Sequence, residues 1–242
     1  MDAWLRYPRL NAQRRRTVMR GWSCRLLSIL GVTVRVLNAP HSLPASCMIV
    51  SNHISWIDIF VLTSIYPAIF VAKSEIRRWP LIGSLCARAG TLFIKRNSRS
   101  SAKRTATTVT AAIRSGALVS IYPEGTTTDG KCIRRFHAAL FQPAIDAEAV
   151  IQPAALRYLD REDHYCSAPN FVGDTSFVAS LWNITAAPRI VAELSFLKPI
   201  ETDSQDRRVL ARASQTAIAG ALGVQVSGIP PETIDDLPGE SQ

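Results

Sequence analysis

The chain has 242 residues, 47% of them hydrophobic, and a formal net charge of +9. That length suits one sizeable core, and the absence of internal repeats or low-complexity tracts argues against a solenoid or a disordered chain. Five widely spaced cysteines with no CxxC pair point to neither a disulfide framework nor a zinc site, so reduced structural thiols and no metal are expected.

The charge is uneven along the chain. Residues 1–40 hold eight arginines against the single acid Asp2, a net +7, whereas the rest of the chain carries +2. Such a basic arm suits an anionic lipid surface, nucleic acid or an acidic protein, and composition leaves all three open. Within it, residues 18–36 read as an amphipathic helix. Trp22, Leu26, Leu30 and Val34 recur every four residues, Leu27 widens the stripe, and Arg20 and Arg25 lie off it. A helix lying in a membrane surface has this character, and so does a surface helix packed on a core. No segment is long enough to span a bilayer: the uncharged run between Asp58 and Lys73 is 14 residues and contains Pro67. Arg25 and Arg35 interrupt any secretory signal.

From residue 47 short apolar runs alternate with helical patterns. Strands are predicted at 47–50, 69–72, 91–94, 118–122, 150–155 and 189–196, and helices at 56–65, 80–89, 100–115, 136–148 and 204–222. This alternation predicts an α/β fold: a single domain with a largely buried mixed sheet covered by helices, preceded by the amphipathic helix. The expected organisation is a basic membrane-associating arm (1–40), a central domain (41–227) and an acidic, Pro-containing tail (228–242).

Polar residues follow four of the predicted strands: Asn52-His53, Lys73-Ser74-Glu75, Lys95-Arg96 and Pro123-Glu124-Gly125-Thr126. In open α/β sheets ligands bind at the carboxyl edge of the strands, so these four insertions mark a site. His53 and Asp58 lie five residues apart in an apolar stretch. On a regular helix that spacing is about 500°, so the two would not share a face. His53 must therefore precede the helix, with Asp58 on its first turn reaching back to the ring. A carboxylate on one ring nitrogen fixes the tautomer and frees the other nitrogen to take a proton. A buried histidine satisfied by a capping aspartate reads the same way, and the pair alone does not separate the two.

The ordered set of motifs does. Asn52-His53 with Asp58, then Gly90-Thr91-Leu92-Phe93-Ile94-Lys95-Arg96, Pro123-Glu124-Gly125-Thr126 and Ile151-Gln152-Pro153 resemble, in order and separation, the four blocks of the glycerolipid acyltransferases, whose best-known members are the 1-acyl-glycerol-3-phosphate acyltransferases. The resemblance covers roughly residues 22–200. One stretch departs from it: Phe136-His137-Ala138-Ala139 stands where many members carry Phe-Lys-x-Gly, which bears on the acceptor.

The resemblance implies that His53 is a general base oriented by Asp58, acting on the free hydroxyl of lysophosphatidic acid or another lysolipid such as lyso-ornithine lipid. The acyl donor would be acyl-CoA or acyl-carrier protein, as co-substrate rather than cofactor. No GxSxG elbow is present, so direct transfer is expected rather than an acyl-enzyme. Lys73 is a candidate oxyanion donor or a solvated strand-end lysine. Arg96 suits a phosphate through its planar fork, with Lys95 and Arg99 as helpers. Glu124, Gly125 and Thr126 are expected at the acceptor, Glu124 holding a basic side chain or a hydroxyl, with Phe93 and Pro153 shaping the pocket. The implied partner is an anionic membrane at the cytoplasmic face of the inner or plasma membrane, met peripherally or monotopically. No nucleic-acid-binding motif is recognisable, so nucleic acid is not expected as a partner.

Overall fold

The computed structural model describes residues 10–74, 77, 83, 91–94 and 99–227. Apart from Gly83, the expected helix at 80–89 lies outside the described residues, as do the acidic tail 228–242, Lys95 and Arg96.

The first described element is helix α1 (Ala12–Ile29), started by Asn11, whose side chain accepts from the Arg14 amide. It does not run on to residue 36. Gly31 adopts φ +70, a left-handed conformation that suits glycine, and Val32–Leu37 forms strand β1. The reason is local: Val32, Val34 and Val36 alternate with Thr33 and Arg35, and β-branched side chains at period two favour a strand. Strand β1 pairs in parallel with β8 (Ile190–Phe196), so the sheet begins upstream of the expected boundary at residue 41. Arg35 is consequently structural. It pairs with Asp163 and with the buried Glu193, which also accepts from Arg157.

The remaining strands are β2 (Cys47–Ser51), β3 (Ile69–Lys73), β4 (Leu92–Ile94), β5 (Val119–Ile121), β6 (Cys132–Ile133), β7 (Val150–Leu159) and β9 (Gln225–Val226). Seven strands form one sheet in the order β1-β8-β7-β2-β5-β3-β4, parallel except between β7 and β8, and β6 pairs with β9 separately. The sheet is therefore mixed, as expected. All five residues of β2 are buried, which marks it as a central strand covered on both faces.

Period-two alternation sorts the core into two layers. On one face Ile49, Leu156, Tyr158 and Leu194 pack under α1, α2 (Asp58–Ile65) and α5 (Phe177–Ala186), through Leu27, Leu30, Val61 and Ile184. On the other, Met48, Val50, Val119 and Ile151 pack under α3 (Arg99–Arg114), α4 (Gln142–Asp146) and α6 (Arg207–Leu222). The helix expected over 136–148 is instead a 3-10 turn (Ala138–Phe141) followed by α4. Pro143 explains the break, because it has no amide proton and its ring would clash with the carbonyl four residues back in a continuous helix. Helix α5, in a stretch where no element was expected, starts at Ser176, which caps the Ala179 amide.

Candidate active site

Strands β2, β5, β3 and β4 are mutually parallel, so their carboxyl ends share one edge of the sheet. His53 follows β2 there. Asn52 fixes the exit of the strand: its amide nitrogen donates to the Leu156 carbonyl at 2.9 Å and its oxygen accepts from the Leu156 amide at 2.8 Å. The side chain thus extends the β2–β7 ladder by one more pair, and the chain turns away immediately after it.

The turn is built around Asp58, which is fully buried. One carboxylate oxygen accepts from His53 Nδ1 at 2.8 Å and from the Ile54 and Ser55 amides at 2.7 and 2.9 Å. The other accepts from the Tyr158 hydroxyl at 2.6 Å. The geometry is the one expected from the spacing: histidine before the helix, aspartate in its first turn. An ionised carboxylate only accepts, so Nδ1 carries the proton and Nε2 keeps its lone pair. His53 is 17% exposed, enough for a substrate hydroxyl to reach. Burial, reinforced by the charge of Asp58, raises the Tyr158 hydroxyl well above the usual tyrosine range and keeps it a donor.

Glu124 has a different place from the one expected. Its two oxygens accept from backbone amides, His53 N at 2.7 Å and Arg134 N at 2.9 Å, rather than holding a basic side chain. It therefore clamps the His53 loop to the segment after β6. Burial pushes its carboxyl up to about 7 against the two amides, which favour the charged form. Two further backbone bonds hold the loop, Thr128 N to the His53 carbonyl at 2.8 Å and Phe171 N to the Ile54 carbonyl at 3.1 Å. Gly125 takes φ +67 in the turn that delivers Glu124, a conformation suited to glycine. Thr126 is half-buried beside it, and the Thr127 hydroxyl donates to the Phe171 carbonyl.

Lys73 closes β3 at the same edge, two strands from β2. Phe93 lies on β4, three strands from β2, half-buried against the core with the Arg77 guanidinium 5.8 Å from its ring centroid. Pro153 falls in β7 at the break between the β8 ladder, which begins at Ala154, and the bridge from Ile151 to Ile200. Strand proline is tolerated at such interruptions. By alternation its side chain faces away from the layer of Tyr158. His137 caps the 3-10 turn half-buried, with its amide donating to the Pro123 carbonyl.

Two residues at this site escaped sequence reasoning. Tyr158 belongs to no motif and lies 100 residues from Asp58, so only the strand pairing brings it there. Tyr122 immediately precedes the Pro-Glu-Gly-Thr block, and its ring stacks on the His53 imidazole. An aromatic side chain at a strand end next to the Pro-Glu-Gly-Thr turn was the available signal.

The chain is similar in sequence and fold to known acyltransferases. The family model described as Acyltransferase matches residues 34–157, which contain His53, Asp58, Glu124 and Tyr122. A lyso-ornithine lipid O-acyltransferase of Pseudomonas aeruginosa is 36% identical over 208 residues, covering 86% of this chain and 79% of that protein. A 1-acyl-sn-glycerol-3-phosphate acyltransferase of Neisseria gonorrhoeae is 35% identical over 197 residues, covering 81% and 77%. The crystal structure of the 1-acyl-sn-glycerophosphate acyltransferase PlsC from Thermotoga maritima superposes with a TM-score of 0.68 at 16% identity, over 91% of this chain and 86% of that one, which establishes a shared fold. With the family model spanning half the chain and relatives above 30% identity over most of it, this protein belongs to the acyltransferase family.

Proposed function

We propose that the protein transfers a fatty acyl group from acyl-CoA or acyl-carrier protein to the free hydroxyl of lysophosphatidic acid, forming phosphatidic acid at a membrane surface. The observation that carries the reading is the His53–Asp58 pair at the carboxyl edge, with Nε2 available and Nδ1 held at 2.8 Å. His53 takes the proton of the acceptor hydroxyl as its oxygen attacks the thioester carbonyl. Asp58 stabilises the imidazolium so formed. Collapse of the tetrahedral intermediate forms the ester and expels the thiolate, which recovers the proton from His53. Lys73, at the end of β3, is the proposed donor to the oxyanion, and Arg96 the proposed phosphate ligand.

Among the described residues no helix is long and apolar enough to cross a membrane, and the proposed contact is peripheral, from the cytoplasmic side. Helix α1 supports it with exposed Arg14 and Arg25 on the side of Ile29, which is 73% exposed. Helix α5 in the same layer leaves Val178 and Trp182 75% and 73% exposed, and carries no charged residue along its length. Tryptophan at a water–bilayer boundary and arginines over anionic headgroups fit this arrangement.

A second acceptor, lyso-ornithine lipid, is favoured by one observation: His137 stands where a lysine is common in glycerolipid acyltransferases. Purified protein assayed with both lysolipids and both acyl donors separates the readings. Faster turnover of lysophosphatidic acid is the expected result, and turnover of lyso-ornithine lipid alone overturns the phosphate acceptor.

A further inference from the structure

We propose that Tyr122 is a positioning residue for the general base: the face of its ring stabilises the positive charge that His53 acquires as the acceptor is deprotonated. The inference rests on His53 being that base. The two rings are stacked with centroids 4.2 Å apart and planes 13° from parallel. Phe70 lies behind Tyr122, 6.0 Å away and 12° from parallel, so that three rings form one stack. An aromatic face is electronegative and attracts a cation within about 6 Å of its centroid, more strongly where water is excluded. Tyr122 and Phe70 are both buried.

The charged and titratable groups around His53 act from other directions. Asp58, on α2, meets the ring edge at Nδ1. Glu124, after β5, meets the main-chain amide. Tyr158, on β7, acts only through Asp58. Of these groups Tyr122 alone is stacked on the imidazole face, which it both orients and makes hospitable to charge. Among the described residues the Tyr122 hydroxyl is buried without a hydrogen-bond partner, so it is the ring rather than the oxygen that serves. A phenylalanine would do the same, and would remove an unsatisfied polar atom.

The test is the pH profile of kcat/KM for full-length Tyr122→Phe and Tyr122→Leu, measured on a dispersed short-chain lysophospholipid to keep membrane binding out of the readout. Tyr122→Leu is expected to lower kcat about three- to tenfold with KM little changed. The acidic limb of its profile should move to lower pH by roughly half to one unit, because the charged ring is no longer favoured and the base stays free at lower pH. Tyr122→Phe is expected to match the parent in both. Tyr122→Met serves as the non-aromatic variant if leucine unfolds the protein. A folded non-aromatic variant whose limb does not move, or a phenylalanine variant as impaired as the leucine one, overturns the proposal. His53→Ala separates the two levels. Persisting turnover in that variant removes the general-base reading itself, whereas an inactive His53→Ala beside an unmoved limb in Tyr122→Leu removes only the role of Tyr122.

Discussion

Asp58 accepts four hydrogen bonds, from His53, Ile54, Ser55 and Tyr158, and this changes what a substitution there means. From sequence alone Asp58→Asn keeps the shape and loses only the charge. In the fold, one carboxylate oxygen becomes an amide that faces donors. Turnover should therefore fall steeply and stability should fall too, by about 1–3 kcal/mol, measured by urea unfolding beside the initial rate. His53→Ala is the cleaner probe, since its ring is partly exposed on a loop held by main-chain bonds. It should cost ~10²–10⁴ in rate and leave the unfolding midpoint nearly unchanged. Glu124 makes a pH prediction. Its carboxyl lies near 7 in the fold, above the ordinary 4.5, so the folded state binds the proton more tightly than the unfolded chain. Stability is therefore lost as pH rises from about 4.5 to about 7, by about 3 kcal/mol from this group. Glu124→Gln, which removes the titration, should flatten that slope in unfolding curves taken across the same range, whatever it does to the absolute stability.

At the scale of elements, the boundary between arm and domain is where sequence reading and structure part. The four-residue spacing of Trp22, Leu26 and Leu30 correctly marked a helix, but Val34 extended the same spacing into a strand. A single apolar residue every fourth position fits either period over so short a span. The buried stripe, Leu27 and Leu30, packs on the core, and Arg20 Nε donates to the Ser64 carbonyl at the end of α2. Excising residues 1–36 would thus remove core side chains and most of β1, and is expected to unfold the protein rather than merely release it from a membrane. Helix α5 was illegible for the opposite reason: with Val178 and Trp182 outward and Phe177 and Ile184 inward, its apolar residues have no single face. Those outward residues give the better membrane test. Val178→Ser with Trp182→Ser, both at exposed positions, should reduce binding to anionic vesicles at least about tenfold at high salt, where the arginines are screened. Turnover of a dispersed short-chain lysolipid should be unchanged. Equal vesicle binding by the doubly substituted protein would exclude α5 from the contact.

Over the whole molecule, the candidate site was legible because three parallel strands, β2, β5 and β3, bring the residues at their carboxyl ends to one edge. Reading Asn52-His53, Lys73 and Pro123-Glu124 as strand-end insertions needed only the alternation of strands and helices. What no local pattern could supply was the reversal of β8 against β7 and the long reach of β7, which carries Tyr158 under Asp58. Pairings between distant segments leave no periodicity in either one. Arg96→Lys should weaken a phosphomonoester acceptor roughly tenfold relative to a neutral one, since a point charge cannot reproduce a bidentate fork. Undiminished preference for the phosphate in a competition assay would move phosphate recognition elsewhere.

The amides of Ile54 and Ser55, which donate to the Asp58 carboxylate at 2.7 and 2.9 Å, make the main chain a witness to the charge of the His53–Asp58 pair. Whatever changes the charge on Asp58 or the proton on His53 must also change the shielding of these two amide protons. In an isotope-labelled sample their resonances would follow the protonation of the pair through a pH titration without any reporter group. Their solvent exchange would in turn time the opening of the loop. A loop pinned by its backbone thus carries its own gauge.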